Sequence, residues 1–223
     1  MTRPICTQVD EPIPEFLESN DIPNKWLKPV VTYCVIQGTK DVPKDHTYRM
    51  AVNLAMSTWE TECRLVLKSV KSTEHPDITI KWVPGATDEY IGADSSILAW
   101  AGYPGTQFQG QLVLNDDKLW TTDGQSISAH LIDPIHYPDP LTTVRFKTYN
   151  MVQTIIHESG HLLGLTHSVN CPQCVMNPYY NGVIELQPND IQRIITKYGK
   201  RNWRNDGYIR FKGWLYLRKR KFQ

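Results

Sequence analysis

Apolar residues along the chain follow two periods in turn. From Val30 to Ile36 they run almost unbroken and are mostly β-branched, which predicts a buried strand. After Pro43, Tyr48, Ala51, Val52, Ala55 and Trp59 recur at steps of three and four, predicting an amphipathic helix to about Glu62. Strand patterns follow at Leu65–Val70, Ile78–Val83, Ile97–Ala101 and Gln111–Asn115, with turn signals at Pro84-Gly85 and Pro104-Gly105. Trp120 to Thr143, with Pro134, Pro138 and Pro140, reads as a long connection too irregular for an element of its own. A second helix is predicted from about Lys147 to Leu163 and a loop over 164–187. A last helix starts near Asn189, with Pro188 and Asn189 as its start signal, and stops at Gly199. Strands and helices mixed in this order fit one α+β domain over a mixed sheet.

Composition adds exclusions. With 40% hydrophobic and 21% charged residues in 223, a mostly disordered chain is excluded. No run reaches the roughly 20 apolar residues of a spanning helix. Residues 1–23, rich in proline and acid, read as an extended leader, and this numbering shows no signal peptide. The net charge of +1 hides an asymmetry. Lys200 to Gln223 holds nine Lys/Arg and one acid, against 15 basic and 22 acidic residues elsewhere. The five cysteines are too sparse for a disulfide framework, so the core must come from burial. Cys34 and Cys63 read as small core residues.

The chemistry concentrates in residues 157–167, His-Glu-Ser-Gly-His-Leu-Leu-Gly-Leu-Thr-His, which hold three of the seven histidines. Four residues advance a helix by about 400°, so His157 and His161 share a face, about 6 Å apart along the axis. Two imidazoles so placed can converge on one zinc ion. Glu158 projects about 100° away, near enough to reach a water on the metal without being a ligand. Gly164 permits the left-handed turn that ends a helix and can bring His167 under the metal as third ligand. Three protein ligands with an open fourth position make a catalytic rather than a structural site. A bare H-E-x-x-H recurs by accident; the added Gly and third His at fixed offsets make the metzincin signature. Met176, nine residues beyond His167, stands where that group carries a methionine turn beneath the metal.

The flanks narrow the resemblance. Trp26 with Val-Thr-Tyr-Cys at 31–34, Ala55-Met-Ser-Thr-Trp59, Asp77-Ile-Thr-Ile80, Ile97-Leu-Ala-Trp-Ala101 with Pro104-Gly105, and Trp120-Thr121 carry it first. The zinc signature with Ser168, Met176-Asn-Pro-Tyr-Tyr180 and Leu186-Gln-Pro-Asn-Asp-Ile191 to Tyr198-Gly199 complete it. Together they resemble the matrixin branch, the catalytic domains of matrix metalloproteinases. The resemblance implies a zincin fold: a twisted five-stranded mixed sheet, three helices and an active-site cleft. The resemblance spans a catalytic domain at 24–200, between the leader at 1–23, a possible pro-segment remnant, and a basic aromatic tail at 201–223. It further implies a zinc endopeptidase acting on protein or peptide substrates, with a zinc-activated water and Glu158 as general base. Substrate would lie antiparallel to an edge strand, Gln111–Asn115 or Ile97–Ala101, with Pro178 and Tyr180 walling the pocket after the scissile bond. A monomer is expected, and family habit points outside the cell.

Departures from the family pattern carry expectations of their own. Trp100 and a residue near Val113 stand where matrixins carry two histidines of a second, structural zinc, so that ion is expected to be absent. Calcium is left open: Asn115, Asp116 and Asp117 are candidates for a weak site, against a solvated turn. The connection after Trp120 is longer than usual, and its His130 and His136 are replacement ligands or plain loop histidines. Cys6, with Asp10 four residues on, is a candidate cysteine switch, its thiolate taking the fourth zinc position, against an exposed leader cysteine. Cys171 and Cys174 read as a local disulfide or plain thiols. The tail interleaves Trp203, Tyr208, Phe211, Trp214, Tyr216 and Phe222 with cations. It is a surface strand or solvated extension, or it attaches to an anionic surface; no nucleic-acid module is recognisable. The rival reading of function is a non-catalytic zincin-scaffold binding protein acting through that tail. Histidine binds metal only as neutral imidazole, so metal and activity are both expected to be lost as pH falls below about 6.

Overall fold

In a computed structural model, residues 5–8, 25–42, 45–141 and 143–202 are described, with backbone alone for 5–8, 45, 129 and 130. The elements are β1 (Ile5–Gln8), β2 (Val30–Gln37), α1 (Asp45–Glu60), β3 (Val66–Ser69), β4 (Ile78–Val83), α2 (Glu89–Ala93), β5 (Ile97–Ala101) and β6 (Gln111–Asn115). After them come β7 (Trp120–Thr121), β8 (Ile127–Ser128), α3 (Ala129–Ile132), β9 (Arg145–Phe146), β10 (Tyr149–Asn150), α4 (Met151–Leu162) and α5 (Pro188–Tyr198).

The main sheet runs β1-β5-β6-β4-β2-β3. β3, β2, β4 and β6 are mutually parallel, β5 is antiparallel to β6, and β1 lies parallel to β5. Five strands are those expected of the domain, and β1 from the leader adds a sixth at the edge. β6 pairs with both β4 and β5 and is an interior strand, which removes Gln111–Asn115 as a substrate edge; β5 ends the five-stranded part of the sheet, with β1 lying along it. No single-strand pattern could reveal that, because pairing order is a non-local property.

The helix expected after Pro43 forms because Tyr48, Ala51, Val52, Ala55, Met56 and Trp59 share one face, and all are buried. That face packs on α4 and the sheet, with Val31, Ile80, Leu112, Ile155 and Ile156 in one core. The Trp59 indole donates to the Ile156 carbonyl at 2.8 Å, so the ring is buried with its polar atom satisfied. Trp26 does the same at the C-terminal end of α4, donating to the Leu162 carbonyl at 2.9 Å.

Two sequence expectations shift. The second helix starts at Met151 rather than Lys147, because Tyr149–Asn150 pairs with Trp120–Thr121 as a short parallel ribbon. The Trp120–Thr143 connection is not elementless: β8 pairs antiparallel with β9 and α3 follows β8. Among the described residues no helix is long and apolar enough to cross a membrane.

Candidate metal centre

α4 begins where the Asn150 side chain accepts hydrogen bonds from the Val152 and Gln153 amides, at 2.9 and 3.2 Å. Every residue of the helix is buried. Its end is built by Gly164, at φ +86°, while the amides of Gly164 and Leu165 close on the carbonyls of His161 and Gly160. The chain thus doubles back and delivers His167 beneath His157 and His161.

The three Nε2 atoms form a triangle with sides of 3.1 Å (His157–His161), 3.2 Å (His161–His167) and 3.3 Å (His157–His167). Tetrahedral ligands at roughly 2.0–2.1 Å from zinc stand about 3.3–3.4 Å apart, so the triangle fits that ion to within a few tenths of an ångström. Among the described residues, no other group of three or more His, Cys, Asp or Glu side chains brings its ligand atoms together in this way.

The outward nitrogens set the tautomers. Nδ1 of His157 lies 2.7 Å from the Val175 carbonyl, and Nδ1 of His161 lies 2.7 Å from that of Leu165. A carbonyl only accepts, so each Nδ1 carries the proton and each Nε2 turns a lone pair to the centre. Tyr103, wholly buried, backs His161 edge-on.

Burial keeps the rings neutral. Desolvation pushes His157 down to about 4 against the pull of its Val175 bond. His167 falls to about 3, through desolvation first and then the neighbouring His157 and Arg193. His161 lies well below the usual 6.5, desolvated and flanked by both other rings.

This changes the acid behaviour expected from the sequence. In the folded chain, protons compete for these nitrogens only near pH 4 and below. Between about 6.5 and 4 the unfolded chain takes up protons that the folded chain refuses, so stability falls as pH falls. For the metal-free protein, His157 alone contributes a loss on the order of 2 kcal/mol between pH 7 and pH 5. Urea midpoints at the two pH values check this; equal midpoints would contradict it.

Met176 is buried directly under the helix. A Cβ on Gly160 would collide with its sulfur, so the glycine inside the His-Glu-Ser-Gly-His run is what lets the methionine approach. Asp190, wholly buried in the first turn of α5, fixes that turn by accepting from the amides of Val175 (3.0 Å), Met176 (3.3 Å) and Gln187 (3.0 Å). The same Val175 presents its carbonyl to His157, so α5 steadies the first histidine through one residue. Sequence reading assigned Asp190 no role; an acid at N3 of a Pro-started helix looks like an ordinary cap.

Glu158, next to His157 on α4, is fully buried. Pro178 is half-buried, and the Tyr180 hydroxyl accepts from the Asn150 amide at 2.9 Å, its ring edge-on to Tyr149. Cys6 lies in β1, beside β5, and its side chain is outside the described residues.

Trp100 and Val113 are buried in a second apolar cluster with Val83, Ile91 and Ile97. The Trp100 indole donates to Asp88 at 3.0 Å and its ring packs edge-on to Tyr90 and Phe108. Around Asn115 the polar atoms serve the turn: its amide donates to the Ile97 carbonyl, its Oδ1 accepts from the Asp117 amide, and Asp117 accepts from the Gly85 amide. Burial first, then Asp41 and Asp117, raises the Asp116 carboxyl.

Cys171 and Cys174 form a disulfide, while Cys34 and Cys63 are free and buried. His136 is exposed and bonded to Asp133 at 2.8 Å; the side chain of His130 is outside the described residues.

The fold and the three-histidine group fit the zinc metalloendopeptidases of the metzincin class. The family model for matrixin matches residues 25–199, and the chain belongs to that family. It is 32% identical to matrilysin of Felis catus over 211 residues, covering 91% of this chain and 69% of that protein. Matrilysin of Homo sapiens is 31% identical over 210 residues, covering 91% and 68%. Karilysin of Tannerella forsythia is 27% identical over 172 residues, covering 75% of this chain and 31% of that protein.

Proposed function

We propose that the protein cleaves protein substrates with one zinc ion held by His157, His161 and His167 and with Glu158 as general base. The observation that carries this is the triangle of Nε2 atoms, each side 3.1–3.3 Å, with the Nδ1 atoms of His157 and His161 locked to carbonyls. Zinc, when bound, supplies a Lewis acid that makes water acidic near neutral pH and polarises a peptide carbonyl. The histidines hold it as neutral ligands, which their burial favours. Glu158 takes a proton from the attacking water and delivers it to the leaving amine. Once β1 is displaced, β5 offers the edge to which a substrate adds antiparallel, and Pro178 and Tyr180 wall the pocket for a medium to large apolar side chain. A peptide-library digest by the Cys6→Ser protein with zinc restored tests this, and no cleavage by that protein would end it.

A single zinc per chain is part of the reading. The buried Trp100–Asp88 pair and Val113 support it, since neither tryptophan nor valine ligates zinc. The binding-protein alternative is not favoured: its business end, residues 201–223, falls almost wholly outside the described residues, and nothing else supports it.

Residues 1–23 are read as a leader that restrains the enzyme through Cys6. What supports this is that Ile5–Gln8 lies along β5 in the parallel sense, opposite to a substrate strand. A chain so reversed offers its peptide bonds in the wrong direction for cleavage. The expected result for Cys6→Ser is activity without thiol modification, at least about tenfold above untreated wild type. Equal latency in the two proteins would remove the switch.

A further inference from the structure

The first two histidines of the centre are each anchored by a hydrogen bond at Nδ1. His167 is not: among the described residues, no hydrogen bond reaches its Nδ1. Its ring is therefore aimed by its backbone, and that backbone lies in an irregular stretch after the helix has ended. What grips the stretch is Arg193, on α5. One guanidinium nitrogen donates to the Ser168 hydroxyl at 2.5 Å. The other donates to the carbonyl and hydroxyl of Thr166, at 3.0 and 2.8 Å. Both neighbours of His167 are thus held by one planar fork, and both are buried. Ser168 is tied further, its amide donating to the Met176 carbonyl at 2.7 Å and its hydroxyl to Asn189 at 3.2 Å.

We infer that Arg193 is a positioning residue for the third metal ligand, acting through Thr166 and Ser168 and not on the ion. The inference rests on the zinc reading above and adds to it the part that orients His167. The pattern needs arginine: a lysine ammonium reaches one side of His167 but has no fork to hold both.

The test is zinc affinity of the metal-stripped, full-length protein, by competition with a chromophoric chelator, together with the visible spectrum of the cobalt(II) form. Arg193→Ala is expected to weaken zinc binding by about 10–100-fold, the usual cost of losing a group that orients a ligand, and to alter the cobalt bands. Arg193→Lys is expected to recover part of the loss. Ser168→Ala is expected to weaken binding in the same direction and to add little on top of Arg193→Ala. A purely structural role lowers the melting point of the metal-free protein and leaves affinity and cobalt bands unchanged. Zinc affinity within about twofold of wild type in Arg193→Ala overturns the inference. If that variant does not fold, Arg193→Lys and Ser168→Ala are judged by the same criterion. A wild-type protein that takes up no zinc overturns the functional reading as well, so the two failures are told apart.

Discussion

Glu158→Gln is expected to retain its zinc and to lose peptide hydrolysis by about 10²–10⁴-fold in kcat/KM, the range for removing a positioned general base. Three features set the size of the effect. The carboxylate sits on the same buried helix as two of the ligands, so its position is fixed by the element that fixes the metal. It is wholly buried, so bulk water cannot readily supply a substitute base. Glutamine keeps the volume, so the helix is not disturbed and the change isolates proton transfer. The loss is expected in kcat, with KM little altered, because in the proposed mechanism the carboxylate acts on the water and not on the bound substrate. Steady-state kinetics on a peptide found in the library digest, with metal content measured in parallel, decide the matter. Full activity in Glu158→Gln would remove the residue from the mechanism.

Stripping the metal is expected to bring hydrolysis down to background, and one equivalent of zinc per chain to restore it. The same treatment lowers stability, because zinc binds the folded centre far better than the unfolded chain. A free zinc concentration a thousand times the dissociation constant contributes about 4 kcal/mol, so the melting temperature falls on chelation by several degrees. His161→Ala should reproduce the activity loss permanently, since the remaining two imidazoles leave the triangle open. Requirement for a second equivalent would contradict the reading of Trp100 and Val113 as a metal-free replacement. Activity undiminished by a strong chelator would contradict the zinc mechanism outright.

The parts of this molecule legible in the sequence are those with local signals. The helical period of Tyr48 to Trp59 and the β-branched run at Val30 depend only on neighbours a turn or a strand-step away. The histidine spacing is of the same kind: 3.6 residues per turn places His157 and His161 together, and Gly164 announces the reversal that returns His167. What could not be read depends on contacts between distant segments. β6 alone has the pattern of any apolar strand, and only its pairing with both β4 and β5 makes it interior. The leader reads as extended, but nothing in Ile-Cys-Thr-Gln announces a parallel partner about 90 residues away. Asp190 and Arg193 carry no local signal of their roles. Their work is done 14 to 27 residues back along the chain, on the backbone around Met176 and His167. α4 starts four residues later than its apolar pattern predicts because Tyr149 and Asn150 pair with Trp120 and Thr121.

The most direct measurement is X-ray absorption at the zinc edge, on Cys6→Ser protein carrying one equivalent of zinc. Three imidazoles and one further oxygen, all at about 2.0–2.1 Å, are expected. Sulfur near 2.3 Å, or a fourth imidazole closing the ion off, would contradict a three-histidine catalytic centre.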